Sequence, residues 1–120
     1  MDLPVSPGRE LDAADHRRVA RNQATLRIVN EGIGADGRRT HLAFVCECGR
    51  IGCNRVIMLA PGEYEAVRAD PRRFVVVPGH EVTALEHVVE LHAGHAVVET
   101  RHHARDVAER TDPRRGAAAD

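Results

Sequence analysis

The chain has 120 residues, a formal net charge of −1, and only three aromatic residues, Phe44, Tyr64 and Phe74. This is enough for one domain with a single core, and that core must rest on Val, Leu, Ile and Ala. The near-neutral balance, with all seventeen basic residues arginine, gives no general electrostatic drive toward nucleic acid. No apolar run approaches the roughly 18 residues of a membrane span, and Met1-Asp2-Leu3-Pro4 lacks the regions of a signal peptide. The chain therefore reads as cytoplasmic, where thiols stay reduced and grouped cysteines point to metal or redox chemistry before disulfides.

Residues 1–9, with Pro4, Pro7 and Gly8, read as a loose leader. Asp12 or Asp15 then caps a helix running to Glu31, with Val19, Leu26, Val29 and Ile33 as its apolar stripe. Three glycines over 32–39 predict a turn. A strand over 41–47 leads into a tight knuckle over 48–53, and strand character resumes over 55–59. A short helix follows over 62–69, with Tyr64, Val67 and Arg68 facing inward; Asp70-Pro71 ends it, because the residue before proline is pushed out of helical space.

Residues 73–77 form a β-branched strand stopped by Pro78-Gly79. Segments 87–91 and 96–100 flank His92-Ala-Gly-His95 and read as a hairpin, although Leu85, Val88, Val89 and His92 also fit one helical face. A last helix is expected over 103–110, and a disordered tail over 112–120. The fold class is α+β: one zinc-binding domain over 10–111, its N-terminal helix packed on a mainly antiparallel sheet that carries the knuckle.

All three cysteines fall within eight residues, Cys46-Glu-Cys48-Gly-Arg-Ile-Gly-Cys53. Zinc takes four ligands in a tetrahedron, and thiolates with an imidazole are a common structural set. The backbone must reverse sharply to bring three sulfurs round one ion, and Gly49 and Gly52 stand where positive φ is needed. An odd number of cysteines also leaves a disulfide framework with a thiol over.

Eight histidines compete for the fourth place. His41 sits five positions before Cys46 on the same expected strand, so their side chains point to opposite faces. His16 reads as solvated among arginines. His87, His92, His95, His102 and His103 read as surface residues of the last elements, and His92, His95, His102 and His103 also as a weaker second metal site. His80 follows the rigid Pro78-Gly79 turn, at the end of a strand expected to pair with the cysteine-bearing one, and is the leading candidate.

Phe44-Val-Cys-Glu-Cys-Gly with Cys53, Glu63-Tyr-Glu-Ala-Val-Arg-Ala-Asp-Pro71, Arg73-Phe-Val-Val-Val-Pro-Gly-His-Glu81 and Glu109-Arg-Thr-Asp-Pro113 together resemble a family of short, largely uncharacterised actinobacterial proteins, over roughly residues 20–113. The resemblance implies Cys46, Cys48, Cys53 and His80 as the metal set and supplies no reaction. Ala60-Pro61-Gly62 departs from the helix-starting residues expected there.

Three thiolates and an imidazole fill the shell with a net charge of −1, which makes a poor activator of water. Glu47 invites comparison with zinc deaminases, but their His-x-Glu and Pro-Cys-x-x-Cys motifs are both missing, so Glu47 is expected to face solvent. No catalytic residue is assigned. One structural Zn²⁺, with a role as a regulatory or protein-interaction module open to thiol oxidation, is the first expectation. A nucleic-acid-binding zinc protein is the second, suggested by Arg17, Arg18 and Arg21, by Arg72 and Arg73, and by Arg114 and Arg115. A zinc enzyme is the third.

Overall fold

The computed structural model describes residues 12–115. The expected leader over 1–9, and residues 116–120 of the expected tail, lie outside the described residues.

Helix α1 spans Ala13–Gly34. Asp12 caps it: its Oδ1 accepts from the Asp15 N–H at 2.9 Å, and Asp15 returns the bond to the Asp12 N–H. Two short strands, β1 (Leu42–Val45) and β2 (Val56–Leu59), pair antiparallel with Phe44 opposite Ile57. Helix α2 covers Pro61–Arg68. Proline is well placed at a first helical position, and Glu63 Oε1 accepts from the Ala60 N–H at 2.8 Å, so the Ala-Pro-Gly start works without a side-chain bond from the N-cap residue itself.

Strands β3 (Arg73–Val76), β4 (Glu86–Leu91) and β5 (Ala96–Thr100) form a second antiparallel sheet in the order β3-β5-β4. The hairpin reading of the β4–β5 region is the one realised. Helix α3 (His102–Arg110) closes the fold. The architecture is α+β, one domain with an N-terminal helix against antiparallel sheets.

The main core joins both sheets to α2. Leu42, Phe44, Ile57 and Leu59 come from the first, and Phe74, Val75, Val76 and Val97 from the second. Phe44 and Tyr64 stack with ring centroids 4.4 Å apart, so the few aromatics are concentrated at the joint between the layers.

Helix α1 departs most from expectation. Its buried face is Val19, Ala20, Gln23, Ala24, Arg27 and Asn30, whereas Val29 is exposed. Of the expected stripe, Val19 is buried and Ile33 packs on the core; periodicity missed the polar part of the face, through which this helix bonds largely to backbone. Asn30 both donates to the Val45 carbonyl at 2.9 Å and accepts from the Val45 N–H at 2.8 Å, closing the outer edge of β1. Arg27, fully buried, donates to the carbonyls of Pro71 at 2.8 Å and Ala108 at 2.7 Å and lies over the Phe74 ring. It thereby satisfies a carbonyl that the end of α3 leaves open and another in the loop after α2.

Residues 112–115 do not belong to a disordered tail. Asp112 pairs with the buried Arg68, and Arg114 grips Glu31 and Glu65 at 2.7 Å each. These ion pairs fasten the chain after α3 to α1 and α2.

Candidate metal centre

Past Val45 the chain keeps one more ladder bond, from the Cys46 N–H to the Arg55 carbonyl at 3.0 Å, and then leaves β2. It runs beside β3 instead. The Glu47 N–H donates to the Val75 carbonyl at 2.8 Å, and the Val75 N–H donates to Glu47 Oε1 at 2.9 Å. The expected pairing between the cysteine strand and the 73–77 strand is thus confined to this short bridge, with β3 in the other sheet. It suffices to set Cys46 beside the turn that follows β3.

The knuckle reverses at Gly49 (φ +75°) and Gly52 (φ +85°). At Gly49 a Cβ would also meet the Val19 carbonyl oxygen at 2.5 Å, so the site tolerates no side chain for two independent reasons. The Asn22 amide donates to the Gly49 carbonyl at 3.0 Å, which seats the knuckle on α1. On the opposite side, the His80 N–H donates to the Val77 carbonyl at 2.9 Å, closing a turn through Gly79 at φ +92°. Arg50 links the two loops, donating to the carbonyls of His80 at 3.1 Å and Glu81 at 2.8 Å.

The outcome is a convergence of Cys46, Cys48, Cys53 and His80, whose ligating atoms all lie within 4.8 Å of one another. His80 Nδ1 stands 3.7 Å from Cys46 Sγ and 3.6 Å from Cys53 Sγ. A tetrahedral zinc with Zn–S of about 2.3 Å and Zn–N of about 2.0–2.1 Å has S···N edges of about 3.6 Å. The donor set and its spacing therefore fit such an ion. Cys46 and Cys48 are buried, whereas Cys53 and His80 are half-buried. His41, the rival on β1's approach, is exposed and contacts Thr40.

Electrostatics point the same way. Cys46 is drawn down to about 5, chiefly by a hydrogen bond with Cys48 and further by the Val77 N–H, which reaches its Sγ at 3.2 Å, and by His80. Cys48 is pushed up by that same neighbour and by burial, against the Arg50 N–H that reaches its Sγ at 3.5 Å. One thiolate is comfortable here and adjacent thiolates oppose each other. A divalent cation is the species that would let all three ionise together.

Glu47 corrects the expectation of a solvent-facing residue: it is fully buried. Strand alternation fails because α1 and α2 cover one side of this segment and β3 the other. Its Oε2 accepts from the Tyr64 hydroxyl at 2.7 Å and from the Asn30 amide at 2.9 Å. Burial raises its pKa against the pull of these donors. A residue between two cysteines of the cluster therefore pins the knuckle to α1, α2 and β3 at once. Sequence reasoning also passed over Arg50 and Asn30. The one available signal was the helical spacing of polar Gln23, Arg27 and Asn30.

The remaining histidines separate. His92 and His95 stack with centroids 4.4 Å apart on the β4–β5 turn, while His102 and His103 belong to α3 and line a different cavity with His16 and Arg17. His95 is buried, not a surface residue.

Fold and site together define a small α+β protein with a Cys3His cluster able to hold a metal ion. The chain matches no protein-family model, no curated protein and no solved structure. No helix among the described residues is long and apolar enough to cross a membrane.

Proposed function

We propose that Cys46, Cys48, Cys53 and His80 bind one structural Zn²⁺ and that the domain so fixed serves in the cytoplasm as a regulatory or protein-interaction module. The observation that carries the first half is the convergence of three sulfurs and one imidazole nitrogen at zinc-like separations. With four protein ligands the shell has no position for water, which speaks against a hydrolytic enzyme. The reading is in keeping with the resemblance to the actinobacterial family, which we likewise offer as a proposal.

The interaction half is supported by the outward face of the knuckle layer. Ile51, Val56 and Met58 are 69%, 56% and 59% exposed, an apolar set on the element that the metal would hold in shape. In-cell crosslinking of the wild type and of Met58→Glu tests it. A discrete adduct lost in the variant is the expected result; a chain recovered alone at every concentration would count against the reading. Half-buried Cys53 and His80 leave the cluster open to oxidants. Thiolate ligands lose the metal when oxidised, so peroxide is expected to release zinc in parallel with loss of the knuckle's structure.

A nucleic-acid role has one observation in its favour, the exposed Arg17, Arg18 and Arg21 on α1. The near-neutral charge and scarcity of stacking aromatics weigh against it. A mobility shift at low salt would revive it.

A further inference from the structure

A sheet edge is a template for pairing with another strand, and proteins cover or blunt it. Two sheets give four edges here, and three of them are managed. The outer edge of β1 is closed by Asn30 on Val45. That of β3 is occupied by Glu47, whose N–H and Oε1 both engage Val75. That of β4 carries a bulge between Val88 and Glu90 and the exposed charge of Glu90 itself. The outer edge of β2 is bare. Among the described residues no strand pairs with it, and Val56–Leu59 has neither a bulge nor a charged residue.

The bond pattern fixes what that edge offers. The Cys46 N–H donates to the Arg55 carbonyl, one step beyond the Val45–Val56 pair. Bonded and non-bonded pairs alternate along an antiparallel ladder. Ile57 and Leu59 therefore turn their N–H and C=O toward β1, while Val56 and Met58 turn theirs outward. The outward turn of Val45 toward Asn30, opposite Val56, is the same alternation seen from the other strand. Val56 and Met58 also have exposed side chains, at 56% and 59%. One short segment thus presents donors, acceptors and apolar side chains together.

We propose that this edge pairs with the same edge of a second copy, antiparallel about a two-fold axis at Ile57, giving a four-stranded sheet β1-β2-β2-β1. The inference rests on the interaction reading of the Ile51, Val56 and Met58 face and names its partner. In this register Val56 of each copy stands opposite Met58 of the other. Both are outward-turned, so each pair exchanges two hydrogen bonds, and the apolar side chains meet on one face. A slip of one residue would oppose buried Ile57 to exposed Met58 and lose the match. Such self-complementarity is what an isologous dimer requires. Charge favours a copy of this chain over an unrelated strand: β2 is entered from Arg55 and left toward Glu63 in the first turn of α2. The two-fold sets each basic end beside the other's acidic end. The edge offers less than the roughly 800 Å² per partner of a standard interface, so the dimer is reversible and forms with rising concentration.

Sedimentation velocity of the purified full-length protein from about 1 μM to about 1 mM, with amide exchange read at both ends, tests this. A monomer passing to a dimer is expected, with the Val56 and Met58 amides gaining protection and Ile57, already turned to β1, unchanged. Met58→Lys, at an exposed position, puts a charge on the edge and abolishes the dimer. Val56→Pro removes an outward donor, spares the bonds to β1 and does the same. Leu91→Lys, at the exposed end of β4, leaves the dimer intact. A chain still monomeric at about 1 mM, a dimer that survives Met58→Lys, or equal loss in Leu91→Lys overturns the proposal. So does protection of the Val56 and Met58 amides that ignores concentration, which would put a segment of the same chain on the edge. A monomeric chain whose in-cell adduct has a mass other than twice its own ends the dimer and spares the interaction reading; a monomeric chain with no adduct ends both.

Discussion

The two sheets of this protein are held by different forces. In β3-β5-β4, Val75, Val76, Ala96, Val97 and Val98 are almost wholly removed from water, and β5 is paired on both sides. That sheet stands on apolar burial. The β1–β2 layer is two four-residue strands with one apolar face buried and the other, including Val56 and Met58, exposed. A two-stranded ribbon is marginal by itself. Beside the four core residues it contributes, directional contacts fasten it: the Asn30 bonds to Val45, the buried Glu47 hub and the Cys3His cluster. Where apolar area is thin, a few buried hydrogen bonds take over, and these are the contacts that reach the candidate metal centre.

Chelation should separate the two layers most sharply. Structural zinc supplies on the order of 10 kcal/mol of folding free energy in small zinc domains. Amide exchange over residues 42–59 should accelerate far more than over β3 and β5. Equal acceleration everywhere would mean that the layers share one source of stability, and the comparison would fail.

Glu47→Ala comes next. It strands the Tyr64 hydroxyl, the Asn30 amide and the Val75 N–H, at about 3 kcal/mol or more. Thermal melts of the zinc-loaded form should show this loss, and a chromogenic chelator should extract zinc faster. Glu47→Gln, which keeps one acceptor oxygen, should recover part of both. A loss of stability with no change in zinc release would detach Glu47 from the knuckle.

Gly49→Ala should cost about 2 kcal/mol, from positive φ and from crowding the Val19 carbonyl. The denaturant midpoint measures it. Gly52 shares the φ but has open space, so Gly52→Ala should cost less; the reverse order would misplace α1 against the knuckle.

The smallest effect lies in the arginine-carboxylate group. Arg114 first, then Arg68, holds Glu31 below the usual carboxylate range. With the folded value below the unfolded one, this stabilisation is complete above the ordinary glutamate pKa and fades as pH falls through the folded value. Glu31→Gln should flatten the acid side of the stability–pH curve by under about 1 kcal/mol, since the pair is partly solvent-screened. An unchanged curve would make these contacts incidental.

The Cys3His cluster was legible because its chemistry is local: glycine-bent cysteines in eight residues and an imidazole on a Pro-Gly turn. The strands and the short α2 were also readable from β-branched runs and proline stops, with boundaries shifted by one residue, or by two at the end of β1. Burial on α1 was not. Arg27, Gln23 and Asn30 look like a solvated face until Pro71, Ala108, Val45 and Glu86 arrive from distant parts of the chain. Glu47 misled for the same reason, as did Asp112 and Arg114, whose partners lie on α1 and α2. Long-range polar contacts leave no periodicity to read.

The most direct measurement is native mass spectrometry of the reduced, full-length protein alongside a far-UV spectrum. The account predicts one zinc per chain, retained through desalting and lost with the knuckle's structure in Cys48→Ser. A metal-free chain carrying the complete fold would contradict it.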